Sequence, residues 1–380
     1  MRNPRYSRIL LTLVPALLVL VSSACGGRSR LLEMRIDAPS LQTNTVGLSY
    51  RQTVCVYLPP SYADSQVRYP VLYFLPGYDD PVWIFTGGAL QGFRMRDALD
   101  GLLDRRRIEE MIVVIPSGTT PLGGTFYTNS PVLGNWEDYI AGELVTLVDR
   151  SFRTLTRPEA RAIAGTTTGG SGALLLAIRH PDIFGAVYAL DPVLLFPGAL
   201  DEDGICSIAD AGRLLSIQEA TAALPEKQAR LALKLYLQGQ IGSDSEAGAL
   251  RAFLITLGAA FSPDLSSPGL PVRFPYRRGA QGLEADPSAR AAFESGLGDW
   301  QEKIRRYDGN LRSLRLLALD YGTGNGIRWL PQGCEHVAGL LSAEGIPHRV
   351  LTHSGNHEDH FRERMEGFLL PILSQVLHAR

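Results

Sequence analysis

The chain has 380 residues, of which 45% are hydrophobic, 20% charged and 8% aromatic. That is enough length and apolar content for a large core, and it excludes disordered, collagen-like and disulfide-knotted classes. With 37 Lys and Arg against 39 Asp and Glu the net charge is −2, which gives a nucleic-acid partner no electrostatic support.

At the N-terminus Arg2, Arg5 and Arg8 precede an apolar run from Ile9 to Val21, and Ser22-Ser23-Ala24-Cys25-Gly26-Gly27 follows. The run is too short to cross a bilayer and ends in small residues, so residues 1–25 are expected to be an export signal. The ending resembles a bacterial lipoprotein signal, in which Cys25 becomes the lipidated N-terminus, although Ser22 stands where an aliphatic residue is usual. An ordinary secretory signal cleaved nearby is the alternative. Either reading puts the protein outside the cytoplasm, and the first makes it a membrane-anchored lipoprotein of the periplasm or cell surface.

Beyond the leader, short apolar runs alternate with helical patterns, the mark of an α/β domain with a mostly parallel sheet. Strands are expected at Met34–Ile36, Val54–Leu58, Val71–Leu75, Met111–Ile115, Ala162–Ala164, Ala186–Leu190, Leu314–Leu319 and Arg349–Leu351. Helices are expected at Asn135–Arg150 and Gly169–Arg179. The alternation breaks between Pro192 and about Asn310, where helical stretches at Ile217–Leu224, Lys227–Leu237, Glu246–Leu257 and Ala289–Tyr307 surround a Pro/Gly-rich passage. The expected organisation is an α/β core in residues 26–191 and 311–380, with 192–310 as a mainly helical cap.

Three cysteines remain after Cys25. Cys55 lies in an alternating apolar stretch and reads as a buried thiol, while Cys206 and Cys334 have loop-like surroundings and could pair in an oxidising compartment. No Cys-x-x-Cys spacing supports a metal site.

The segment Arg161-Ala-Ile-Ala-Gly165-Thr166-Thr167-Thr168-Gly169-Gly170-Ser171-Gly172 carries an apolar strand through a Gly-x-x-x-Gly turn into a helix. This is the layout of a nucleophile elbow, which lifts one side chain above the sheet, and the residue at its apex is Thr167 where serine is expected. Together with Val56-Tyr-Leu-Pro-Pro-Ser-Tyr62, Arg68-Tyr-Pro-Val-Leu-Tyr-Phe-Leu-Pro-Gly77, Phe126-Tyr-Thr-Asn-Ser130, Asn135-Trp-Glu-Asp-Tyr139 and Arg179-His-Pro-Asp-Ile-Phe-Gly185, the elbow resembles the bacterial esterase family of the α/β-hydrolase superfamily. Its relatives include S-formylglutathione hydrolases, feruloyl and siderophore esterases and mycolyltransferases. The resemblance runs from about residue 50 to the C-terminus and implies acyl-transfer chemistry by a Ser, acid, His triad in that chain order.

Carried over residue by residue, the resemblance makes His357, in Ser354-Gly-Asn-His-Glu358, the general base. At the acid position, in Asp320-Tyr-Gly-Thr-Gly-Asn325-Gly, it finds Asn325, and the oxyanion loop Leu75-Pro-Gly-Tyr78 has Pro76 where relatives carry histidine. The triad is therefore degenerate. Threonine is a competent nucleophile whose extra methyl crowds a strained elbow, and asparagine holds an imidazole without stabilising the imidazolium, a change costing about 10⁴-fold in the serine-protease template. Asp320 could orient His357 from a shifted position, and Ser171 offers a second hydroxyl one turn along the helix, where burial is the simpler reading. The backbone amides of Tyr78 and Thr168 remain to form an oxyanion hole.

Glu358 and Asp359 read as decoration of the last helix, His353 and His360 as loop histidines, and Trp83, Phe85 and Trp136 as packing rather than pocket residues. Asn135 to Asp138 reads as a helix cap. The expected activity is weak or absent hydrolysis of a carboxylic ester, with no metal and no organic cofactor. The alternative is a pseudoenzyme that binds an acyl, glycan or protein ligand at the cell envelope.

Overall fold

A computed structural model describes residues 28–201, 204–241, 246–267, 269–324 and 326–378. The leader with Cys25, and Asn325, lie outside the described residues. Among the described residues no helix is long and apolar enough to cross a membrane.

The frame is a single eight-stranded sheet: β1 (Arg30–Asp37), β2 (Arg51–Leu58), β3 (Val71–Leu75), β4 (Ile112–Pro116), β5 (Arg161–Thr166), β6 (Ala186–Leu190), β7 (Leu316–Gly322) and β8 (Arg349–His353). Their spatial order is β1-β2-β4-β3-β5-β6-β7-β8. β2 runs antiparallel to both neighbours and the other pairings are parallel, so this is an α/β fold of the doubly wound, hydrolase type. Burial follows position. Edge strand β1 alternates buried and exposed residues, whereas β3, β4, β5 and β6 are buried throughout because helices cover both faces. Each apolar run expected from the sequence overlaps one of these strands, with Met111 just before β4 and Leu314 and Arg315 just before β7.

The principal helices are α1 (Met95–Asp104), α2 (Val145–Ser151), α3 (Thr168–Arg179), α4 (Ile208–Ala222), α5 (Glu226–Ile241), α6 (Glu246–Phe261), α7 (Pro287–Leu297), α8 (Trp300–Arg306), α9 (Asp308–Ser313), α10 (Trp329–Ala343) and α11 (Leu370–His378). Between β6 and β7 the chain forms α4 to α9 and a hairpin of Tyr276–Gly279 with Gly282–Ala285. Leu214, Phe253, Leu254 and Phe293 from this stretch share one hydrophobic cluster with Tyr73, Ile163 and Val187 of the sheet, so the stretch has no separate core.

Several local expectations change. The stretch expected as one helix at Ala289–Tyr307 is two, α7 and α8, because the chain breaks at Gly298 and Asp299 takes a left-handed φ of 50°. The helix expected to start at Ile217 begins at Ile208, where the Ser207 side chain accepts from the Asp210 amide. In the expected cap at Asn135 to Asp138 the capping group is Asn129, whose Oδ1 accepts from the Glu137 and Asp138 amides at 3.0 and 3.2 Å. Glu137 instead pairs with Arg179 and His180. Cys206 and Cys334 are not bridged: neither they nor Cys55 forms a disulfide, all three are buried, and Cys334 Sγ contacts the Pro192 carbonyl at 3.6 Å.

Candidate active site

β5 runs into α3 through Thr167, whose φ of 49° and ψ of −114° form the sharp turn of an elbow. The turn is held by the Thr167 amide, which donates to the Leu190 carbonyl of β6 at 2.8 Å. It needs Gly169, because a Cβ there would collide with the Leu75 and Pro76 carbonyls at the end of β3. A β-branched residue at positive φ is strained, and the surrounding packing must impose it.

The loop after β3 supplies the facing wall. The Tyr78 amide donates to Thr167 Oγ1 at 3.3 Å, the Tyr127 hydroxyl donates to Pro76 O at 2.8 Å, and the Gly77 amide donates to Asp80 Oδ2 at 3.0 Å. Asp79, at φ 56°, closes the turn. The Tyr78 hydroxyl donates to Leu122 O in the loop after β4 at 3.0 Å and meets Thr256 Oγ1 of the helical insertion at 3.3 Å. Thr168 opens α3 with its amide at the helix N-terminus, where unpaired backbone donors and the helix dipole favour negative charge.

Thr167 and His357 open onto the same cavity of about 670 Å³. Leu250 and Phe253 of α6, Trp329 of α10, Phe361 and Leu90 line its apolar part, and Asp80, Glu358 and Arg328 are its charged members. The sequence reading missed Phe253, Trp329 and Phe361, since nothing in a single chain marks which aromatics face the cavity. Trp83 is 59% exposed, and Phe85 and Trp136 are fully buried, so the three aromatics read as packing lie outside this lining.

His357 sits in a loop braced from behind. Its Nε2 lies 3.8 Å from Glu358 Oε1, and its carbonyl accepts from Arg364 Nη1 at 3.2 Å. Glu358, read from sequence as decoration, therefore belongs to the cavity. Asp320 is differently employed. Its Oδ2 accepts from the Tyr188 hydroxyl at 2.6 Å and its Oδ1 from Arg364 Nε at 3.0 Å, while Arg364 Nη2 lies 2.7 Å from Asp191 Oδ2. Oδ2 of Asp320 thus serves Tyr188 and Oδ1 a buried Asp-Arg-Asp cluster, partners that the alternative of Asp320 orienting His357 from a shifted position did not foresee. Ser171 donates to the Val193 carbonyl at 2.8 Å and is fully buried along α3, as its helical spacing implied. His353 is held below the usual histidine range, chiefly by burial and then by the Arg364 charge.

Residues 46–220 match the family described as "Putative esterase". An esterase of Mycobacterium tuberculosis is 30% identical over 174 residues, covering 43% of this chain and 35% of its own length. The endo-1,4-beta-xylanase/feruloyl esterase of Xylanibacter ruminicola is 32% identical over 140 residues, covering 35% of this chain and 18% of its own. The chain thus spans about a third of the first relative and less of the second. Among solved structures, a ferulic acid esterase superposes with a TM-score of 0.57 at 19% identity, covering 92% of this chain and 99% of that one. An S-formylglutathione hydrolase of Agrobacterium tumefaciens gives 0.51 at 15%, covering 94% and 99%. These likenesses establish the fold.

Proposed function

From the match of residues 46–220 to an esterase family and the α/β-hydrolase fold, we propose that the chain is an esterase-family hydrolase whose cleft above Thr167 performs acyl transfer on carboxylic esters, slowly. Thr167 Oγ1 attacks the ester carbonyl as its proton passes to His357, the Tyr78 and Thr168 amides receive the oxyanion, and His357 returns the proton to the leaving alcohol. Water then repeats the cycle on the acyl-threonine. Asn325 orients the imidazole in this reading, without the charge that would stabilise its protonated form. No metal or cofactor enters any step. The observation that carries the proposal is the donation from the Tyr78 amide to Thr167 Oγ1 at the apex of a strained elbow, in a cavity that also holds His357.

One observation favours a non-catalytic reading, in which the cleft binds an acyl, glycan or protein ligand without turning it over. Asp320, the carboxylate of β7, is committed to Tyr188 and Arg364. Short-chain aryl ester hydrolysis by the parent, Thr167→Ala, Thr167→Ser and Thr167→Ser/Asn325→Asp separates the two. Slow parental turnover that Thr167→Ala abolishes supports the esterase. A silent parent restored by the double change supports a binding protein on an intact scaffold. We also propose export and anchoring through a lipidated Cys25, with the membrane as partner; fatty-acid labelling lost in Cys25→Ala is the expected result.

A further inference from the structure

The reacting end of the cleft carries more negative than positive charge. Asp80 Oδ2 is fixed by the Gly77 amide at 3.0 Å, and a Cβ placed on Gly77 would strike both this oxygen and Thr167 Oγ1, so carboxylate and hydroxyl border the same small space. Glu358 lines the cavity beside His357, and Asp79 adjoins Asp80 in the loop. Against these stand the His357 imidazole and Arg328, which is exposed. Much of the remaining wall is aromatic: Tyr78 meets Phe253 edge-on at 5.4 Å, Phe253 lies 6.0 Å from Trp329, and Phe361 closes the far side of the loop.

We infer that Asp80 is a specificity-determining residue, a fixed negative charge beside Thr167 that selects esters carrying a cationic group; this rests on the acyl-transfer reading above. A neutral or anionic ester must develop its oxyanion next to that carboxylate, which raises the barrier. An ester bearing a quaternary ammonium brings its own counter-charge and finds aromatic faces that attract it. Burial pushes the Asp80 carboxyl up to about 6, with the Gly77 N–H opposing and the charges of Glu358 and Asp79 adding to the rise. The selecting charge is therefore present at pH 8 and lost at pH 5.

The test uses the full-length protein with butyrylcholine and its uncharged isostere 3,3-dimethylbutyl butyrate, reading binding by calorimetry and turnover by acid release. At pH 8 the cationic ester is expected to bind on the order of tenfold tighter. The ratio falls toward one at pH 5, and also in Asp80→Asn, which keeps an acceptor for the Gly77 amide. Equal binding of the two esters, binding of neither, or a ratio unchanged by both pH and Asp80→Asn overturns the inference. A clear binding preference without turnover of either ester overturns the esterase reading and leaves the charge selection standing. Should Asp80→Asn fail to fold, the pH comparison on the parent supplies the same reading, and Glu358→Gln, at an exposed side chain, is expected to keep the preference for the cationic ester.

Discussion

Arg364 donates from Nη1 to the carbonyl oxygen of His357 at 3.2 Å while its other nitrogens hold Asp320 and Asp191, so one buried guanidinium ties the histidine loop to the ends of β6 and β7. The side chains of all three charged partners are at most 3% exposed. Asp191 also accepts from the Gly322 amide at 2.9 Å, which extends the cluster to the backbone at the end of β7.

Removing the guanidinium would leave two carboxylates facing each other in the interior. Arg364→Ala is expected to cost about 3–5 kcal/mol of stability, read as a lower urea midpoint at unchanged slope. Arg364→Lys retains the charge but not the forked geometry and should lose roughly half as much. A midpoint within error of the parent for both would refute the bracing role.

Thr167 supplies a second prediction. Its methyl must be accommodated at a φ of 49°, next to the Tyr78 amide. Thr167→Ser removes that methyl and keeps the hydroxyl, so aryl ester hydrolysis should rise on the order of tenfold, the rate equivalent of about 1 kcal/mol of relieved strain. Thr167→Ala should abolish phosphonylation by an ester-directed phosphonate while leaving the melting temperature within a few degrees. Residual labelling in Thr167→Ala would move the nucleophile elsewhere.

Lys303 makes stability depend on pH. The side chain is 7% exposed in the corner between α7 and α8, where Nζ donates to Ser295 O at 2.8 Å and to Gly298 O. Burial pulls its pKa from 10.5 down to about 8, partly offset by Asp299. Between those values the unfolded chain binds the extra proton, so this group's contribution to stability is complete above pH 10.5 and is lost as the pH falls through about 8. From pH 7.5 to 10 the parent should gain about 1–3 kcal/mol relative to Lys303→Met. A difference between the two proteins that does not change over this window would show that Lys303 titrates normally.

Much of the frame is written locally. The runs Val71–Leu75 and Ala186–Leu190 are the observed strands to the residue, because a strand buried on both faces leaves an uninterrupted apolar signature. The elbow is equally visible, since Gly165, Thr167 and Gly169 are dictated by one turn. What escapes the sequence is set by long-range placement. Asp80 and Glu358 meet in one cavity across nearly the whole chain, and Phe253 reaches Tyr78 only once α6 lies over the sheet. The partners of Asp320 were hidden for the same reason, because Arg364 arrives from beyond β8.

The glycines give a paired test of the packing argument. A Cβ on Gly169 would collide with the Leu75 and Pro76 carbonyls, which belong to backbone that cannot swing aside, so Gly169→Ala should either prevent folding or cost more than about 3 kcal/mol. Gly339 sits exposed inside α10 with nothing within 4 Å of an added Cβ. There the methyl meets only solvent, while the unfolded chain loses backbone freedom, so Gly339→Ala should stabilise by about 0.5–1 kcal/mol. Urea unfolding of the two variants beside the parent checks both signs at once. A tolerated Gly169→Ala would mean that α3 and β3 are not in contact at the elbow, and the position assigned to Thr167 above the sheet would fall with it.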